Sequence, residues 1–113
     1  MNPWTDLYAS SGATIRFRRR HPADRLPPKP GVFAFFNVWL GDNAVLYIGT
    51  CSDLRTLEPA NIDSIPEYGE ACEFGSPAVA YFLCPSADET ALVQIADSIC
   101  DVYDPPLNRV DEL

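Results

Sequence analysis

The sequence predicts an α/β chain of the α+β kind: a small sandwich with a mostly antiparallel, three-stranded core sheet, flanking helices and an extra N-terminal edge strand. Three observations predict it. Residues 31–40 (GVFAFFNVWL) and 44–50 (AVLYIGT) are apolar runs separated by Gly41-Asp42-Asn43, residues that tolerate the positive φ of a tight turn. Residues 77–84 (PAVAYFLC) form a third apolar run, rich in aromatic side chains. Beyond Ser86, the residues Leu92, Ala96, Ile99 and Tyr103 recur at helical spacing.

Taken in order, residues 1–12 show no clear period and read as an irregular arm. Residues 14–20 alternate, with Ile15 and Phe17 on one side and Arg16, Arg18 and Arg20 on the other. That pattern suits a half-buried edge strand whose arginines discourage further pairing. Pro27, Pro28 and Pro30 lack N–H groups and restrict their neighbours, so they mark an extended connector. Residues 1–30 thus read as a basic N-terminal arm, and residues 31–113 as the main domain.

The run 31–40 is apolar on both faces, as befits a central strand covered on both sides. Ser52 or Asp53 caps a short helix that Pro59 must stop. Residues 59–76, with Pro66, Gly69 and Gly75, read as a long loop holding one helical turn. Ser86 and Glu89 have the spacing of a capping box for the last helix, which Asp104-Pro105-Pro106 ends.

Charge divides the chain. In residues 1–30, six bases stand against Asp6 and Asp24, a net +4. In residues 31–113, Arg55 and Arg109 stand against fourteen acids, a net −12, and together these give the −8 of the 113-residue chain. A surface that grips a phosphate backbone normally presents a basic stripe, so the main domain disfavours DNA. No apolar run reaches the length of a membrane span, and MNPWTDLYASSG has neither a basic nor an apolar leader region, so a cytoplasmic address is expected. Cys51, Cys72, Cys84 and Cys100 are widely spaced and read as reduced thiols buried as small hydrophobes. With His21 as the single histidine, a zinc site is not expected.

Three further stretches carry a resemblance: GVF at 31–33, LYIGTCSDL at 46–54, and DPPLN at 104–108 closing the last helix. In this order and context the chain resembles the GIY-YIG nuclease superfamily over roughly residues 27–110. The resemblance implies a site built from a tyrosine on each hairpin strand, an arginine on the first helix and a metal-binding glutamate on the last. Such a set makes chemical sense for phosphodiester cleavage, which needs an activated nucleophile and cations against developing charge.

Carried over position by position, Tyr47 keeps the second tyrosine. Phe33 replaces the first, Leu57 stands at the arginine position and Ala96 at the glutamate position. Arg55 is near Leu57 in sequence, but two helical residues turn it by about 200°. Asp97 and Glu89 are the weak alternatives for metal binding, and Asn108 matches the family's asparagine. A magnesium or manganese cofactor is expected only if the nuclease reading holds.

Three functions follow as expectations. The first is a catalytically inactive GIY-YIG-like domain acting as a protein-interaction or regulatory module, with Trp4, Tyr8 or Tyr68 available as anchors and an acidic face that could imitate nucleic acid. The second is a metal-dependent endonuclease with a rearranged site. The third is non-catalytic nucleic-acid binding through Arg16, Arg18, Arg19 and Arg20.

Overall fold

A computed structural model of the chain describes residues 3–37 and 44–108. Strands β1 (Trp4–Tyr8) and β2 (Thr14–Arg19) form an antiparallel hairpin, with Asp6 facing Arg16 and Leu7 facing Ile15. Strands β3 (Gly31–Asn37) and β4 (Ala44–Cys51) pair antiparallel, and β5 (Ala78–Leu83) lies antiparallel to β3 on its other side. The hairpins join where Arg18 faces Tyr81 and Arg19 faces Ala80, so one five-stranded sheet runs β1-β2-β5-β3-β4.

Three expectations are corrected here. Residues 4–8 are a strand rather than part of an irregular arm, because Thr5 and Leu7 bury on one face while Trp4 and Tyr8 stay exposed. β2 is consequently not the edge: β1 covers it, and Asp6 neutralises the Arg16 that was to deter pairing. The sheet thus has five strands, not a three-stranded core with one addition. Residues 38–43, which carry the expected hairpin turn and the end of the first hairpin strand, lie outside the described residues.

β3 is buried along its whole length because it has strands on both sides and side-chain layers on both faces. Val32, Ala34 and Phe36 point into one core with Leu7, Phe17 and Ile48, roofed by α2 (Glu89–Tyr103) through Leu92, Ala96 and Ile99. Phe33 and Phe35 point into the other, closed by Leu54, Leu57 and Ile62 of two 3₁₀ turns and by Ala71 of α1 (Pro66–Cys72). A register shift between Phe35 and Phe36 leaves Leu46 without a partner on β3, a bulge that aims both Leu46 and Tyr47 at this second core.

The helix ends follow local chemistry. α2 is capped by Asp88, whose carboxylate accepts from the Ala91 N–H at 2.8 Å; the Ser86–Glu89 capping box does not form, because the helix begins at Glu89. Asp104 ends it at φ 45°, a conformation aspartate tolerates better than most residues. Asp53 caps the first 3₁₀ turn (Leu54–Leu57) as expected. The long loop holds a second 3₁₀ turn (Ile62–Ser64) and α1, which starts on Pro66 because the N–H that proline lacks is unused at a first helical position. All four cysteines are free thiols, but of the four expected to be buried Cys84 alone is; Cys51 and Cys100 are half-buried and Cys72 is exposed. No helix among the described residues is long and apolar enough to cross a membrane.

Candidate functional site

Tyr47 stands opposite Phe35 on the face that carries α1, with its ring 5.8 Å from that of Phe35 and 5.9 Å from that of Phe33. Phe33 lies two positions along, opposite Gly49, and its ring is folded over that glycine. A Cβ at position 49 would collide with the Phe33 ring and would stand 2.7 Å from Tyr47 Cε2, so glycine is required by close approach. Leu57 is fully buried in the same core. Phe33, Tyr47 and Leu57 are therefore brought together, and what they make is packed hydrocarbon.

Ala96 is not part of this assembly. It is buried in the core beneath α2, on the opposite side of the sheet. The strand pleat decides this: residues 33, 35 and 47 face one way, whereas 32, 34 and 48, which meet α2, face the other. A glutamate at position 96 would enter a different core from an arginine at position 57. Arg55 is exposed and doubly tied to Asp53, with Nη2 to Oδ2 at 2.6 Å, as its rotation from Leu57 predicts.

The acid that does meet Tyr47 is Glu67 of α1. Burial first, then the Glu67 charge and a hydrogen bond to it, push the Tyr47 phenol up to about 12, so it keeps its proton near neutrality and serves poorly as a base. Sequence reasoning missed Glu67 because α1 lay in a stretch read as loop, although Pro66 followed by an acid is a helix-start signal. Asp97 and Glu89 are both exposed on α2. Glu89 lines a cleft of about 370 Å³ with Thr50, Cys51 and Leu92, and burial raises the Cys51 thiol to about 11, which leaves it protonated.

The residues present do not fit a divalent metal at the family positions. Magnesium wants several oxygen ligands, yet Phe33, Leu57 and Ala96 offer none. Among the described residues no group of three or more His, Cys, Asp and Glu could hold an ion.

Asn108 has a structural task that local reading could not supply. Its Oδ1 accepts from the Ile48 N–H at 2.8 Å and its Nδ2 donates to the Ile48 carbonyl at 2.7 Å, so the amide imitates one step of a further strand along β4.

The four arginines of the β2 segment are each engaged within the molecule. Arg16 pairs with Asp6 at 2.9 Å, and Arg18 lies over the Trp4 ring at 5.3 Å. Arg19 donates to Thr5 Oγ1 at 2.8 Å and stacks over Phe36, while Arg20 donates to the Leu57 carbonyl at 2.6 Å. They do not form a free basic stripe. Of the aromatic anchors, Trp4 and Tyr8 are exposed, whereas Tyr68 packs edge-on against Phe35. From residue 56 to 108 the chain has ten acids and no lysine or arginine, so α1 and α2 themselves carry acids and no bases. Comparison with family models, curated proteins and solved structures found no match to this chain.

Proposed function

We propose that this is a catalytically inactive GIY-YIG-like domain that acts as a protein-interaction module in the cytoplasm, meeting a basic partner through the acidic outer face of α2. The observation that carries the reading is the packed core at the site: Phe33 is folded over Gly49, and Leu57 is fully buried beside it. Glu89, Asp97 and Asp101 are exposed on α2 beside Val93 and Val102, themselves 41% and 46% exposed. Charge steers a basic partner, and the two valines give it apolar area to bury.

The test has two arms. Duplex and branched DNA incubated with the protein and manganese should stay intact and unretained; metal-dependent cleavage lost in Tyr47→Phe would overturn the inactive reading. Co-purification from native cells should retain a basic protein that Glu89→Gln/Asp97→Asn/Asp101→Asn releases. Retention unaffected by that triple variant would sink the assigned surface.

A further inference from the structure

The register sets one row of side chains across four strands: Trp4 faces Arg18, Arg18 faces Tyr81 and Tyr81 faces Phe33. Directly opposed residues share a face of the sheet, so the whole row lies on the side that carries α1. The cover on that side, α1 and the two 3₁₀ turns, packs over Phe33 and Phe35, and its core takes no residue from β1 or β2. Trp4 and Tyr8 are consequently 40% and 51% exposed. Leu83, two residues beyond Tyr81 and on the same face, is 41% exposed.

Arg18 stands at the centre of this open face. Its guanidinium lies over the Trp4 ring, 5.3 Å from the centroid, and on its other side its charge reaches the Tyr81 phenol, which burial keeps above its ordinary pKa and so neutral. An indole and a neutral phenol fix a guanidinium in place without cancelling its charge. Among the described residues the ion pairs are Arg16–Asp6 and Arg55–Asp53, and Arg18 is in neither. Asp24 also acts on Tyr81, but its carboxylate accepts from the His21 N–H at 2.9 Å. The hairpin belongs to residues 1–30, which carry +4 against −12 in the rest of the chain.

Trp, Tyr and Arg are the side chains that carry most of the binding energy in protein interfaces, and all three stand exposed here. Nucleic acid draws its affinity from several bases meeting several phosphates, whereas on this face Arg16 is tied to Asp6. A peptide needs less: one carboxylate for Arg18 and apolar side chains for Trp4 and Leu83. We propose that this open row is a docking surface for an acidic protein segment in extended form, which brings a carboxylate to Arg18 flanked by apolar side chains. Residues two apart in an extended chain lie on one side at roughly 7 Å, which suits neighbouring Arg18 and Trp4. The surface is on the opposite face from α2, takes a partner of opposite charge and does not rest on the reading of α2.

The test is an NMR titration, read at backbone amides and indole N–H groups, with a capped Phe-Gly-Asp-Gly-Phe peptide. When extended it places its aspartate and both phenylalanines on one side. The control has asparagine for aspartate. The aspartate peptide should move the signals of Trp4, Arg18, Tyr81 and Leu83, and bind about tenfold more tightly than the control, as expected for a charged hydrogen bond. Arg18→Gln should bring the two peptides to the same affinity, while Trp4→Ala weakens both. Both side chains are exposed, so neither change opens a core, and Val93→Ala on α2 should leave binding unaltered. Absence of shifts at the solubility limit of the aspartate peptide, equal binding of the two peptides, or shifts centred on α2 would each overturn the proposal. So would a thymidine oligonucleotide that moves the same signals at lower concentration, since the surface would then belong to nucleic acid.

Discussion

The two faces of the sheet solve the same problem with different materials. Beneath α2 a fifteen-residue helix with one apolar stripe closes a core in which Phe17, Phe36 and Phe82 are set among aliphatic side chains. Beneath α1 the layer is short and broken, two 3₁₀ turns and a seven-residue helix, and the strand side compensates with Phe33, Phe35 and Tyr47, with Tyr68 meeting Phe35 at 5.4 Å. Where helix supplies little regular surface, rings supply volume. The comparison also shows that Ala96 lies on the other face from Phe33, Tyr47 and Leu57, so these four side chains do not form one site.

The strongest way to break this comparison is to remove its central ring. Phe35→Ala should cost about 3–5 kcal/mol, the range for a fully buried phenylalanine. On the other face Ile99→Ala should fall toward the low end of about 2–5 kcal/mol, since α2 can settle onto the sheet. Urea unfolding of both variants decides it, and a larger loss for Ile99→Ala would show that the helix, not the rings, carries the fold.

Next is Gly49→Ala, which should cost about 1–3 kcal/mol by overpacking against Phe33. The double variant with Phe33→Leu should recover much of that loss, because the contact at fault would be gone. Additive losses in the double-mutant cycle would place the strain elsewhere. Asn108→Ala should cost about 1–3 kcal/mol, since the Ile48 N–H and carbonyl lose their partners together. Asn108→Asp should keep the bond from the Ile48 N–H and lose the one to the carbonyl, giving an intermediate melting temperature.

The smallest effect at neutral pH is one of titration. Burial raises the Cys51 and Cys100 thiols from an ordinary 9.0 to about 11, and the Tyr47 phenol from 10.0 to about 12. The fold therefore holds these protons more tightly than the unfolded chain does. Their contribution is complete below pH 9.0 and drains away as pH rises to about 12. Thermal melts should be flat near neutrality and fall above pH 9.0, less steeply in Cys51→Ala/Cys100→Ala. An unchanged alkaline slope in that variant would remove the two thiols from the account.

What could be read in the sequence was what is regular and local. The stripe Leu92, Ala96, Ile99 announces α2, and the doubly apolar run through Phe33 and Phe36 announces a strand covered on both faces. β1 was less legible because its alternation buries only Thr5 and Leu7 among five residues, although that alternation is present. The placement of β2 beside β5 rests on pairing across some sixty residues, which no local window contains. The Asn108 clasp has the same character, reaching sixty positions back to Ile48. At the candidate site, the apolar character of Phe33, Leu57 and Ala96 was visible at once; their division between two faces was not, because it depends on which face of the sheet α2 covers.

Both margins of the sheet are finished by one stretch of chain. Asn108 occupies Ile48 on β4; at the far side the Tyr103 hydroxyl accepts from the Tyr8 N–H at 3.0 Å, and the Ser98 carbonyl accepts from the Ser10 N–H at 2.8 Å. During synthesis, residues 98–108 leave the ribosome after all five strands. A nascent chain can therefore complete its hairpins while both outer strands still expose unpaired backbone, an invitation to neighbouring chains on the same polysome. The interval between translating Leu83 and Asn108 is the time this protein depends on its surroundings to keep it single.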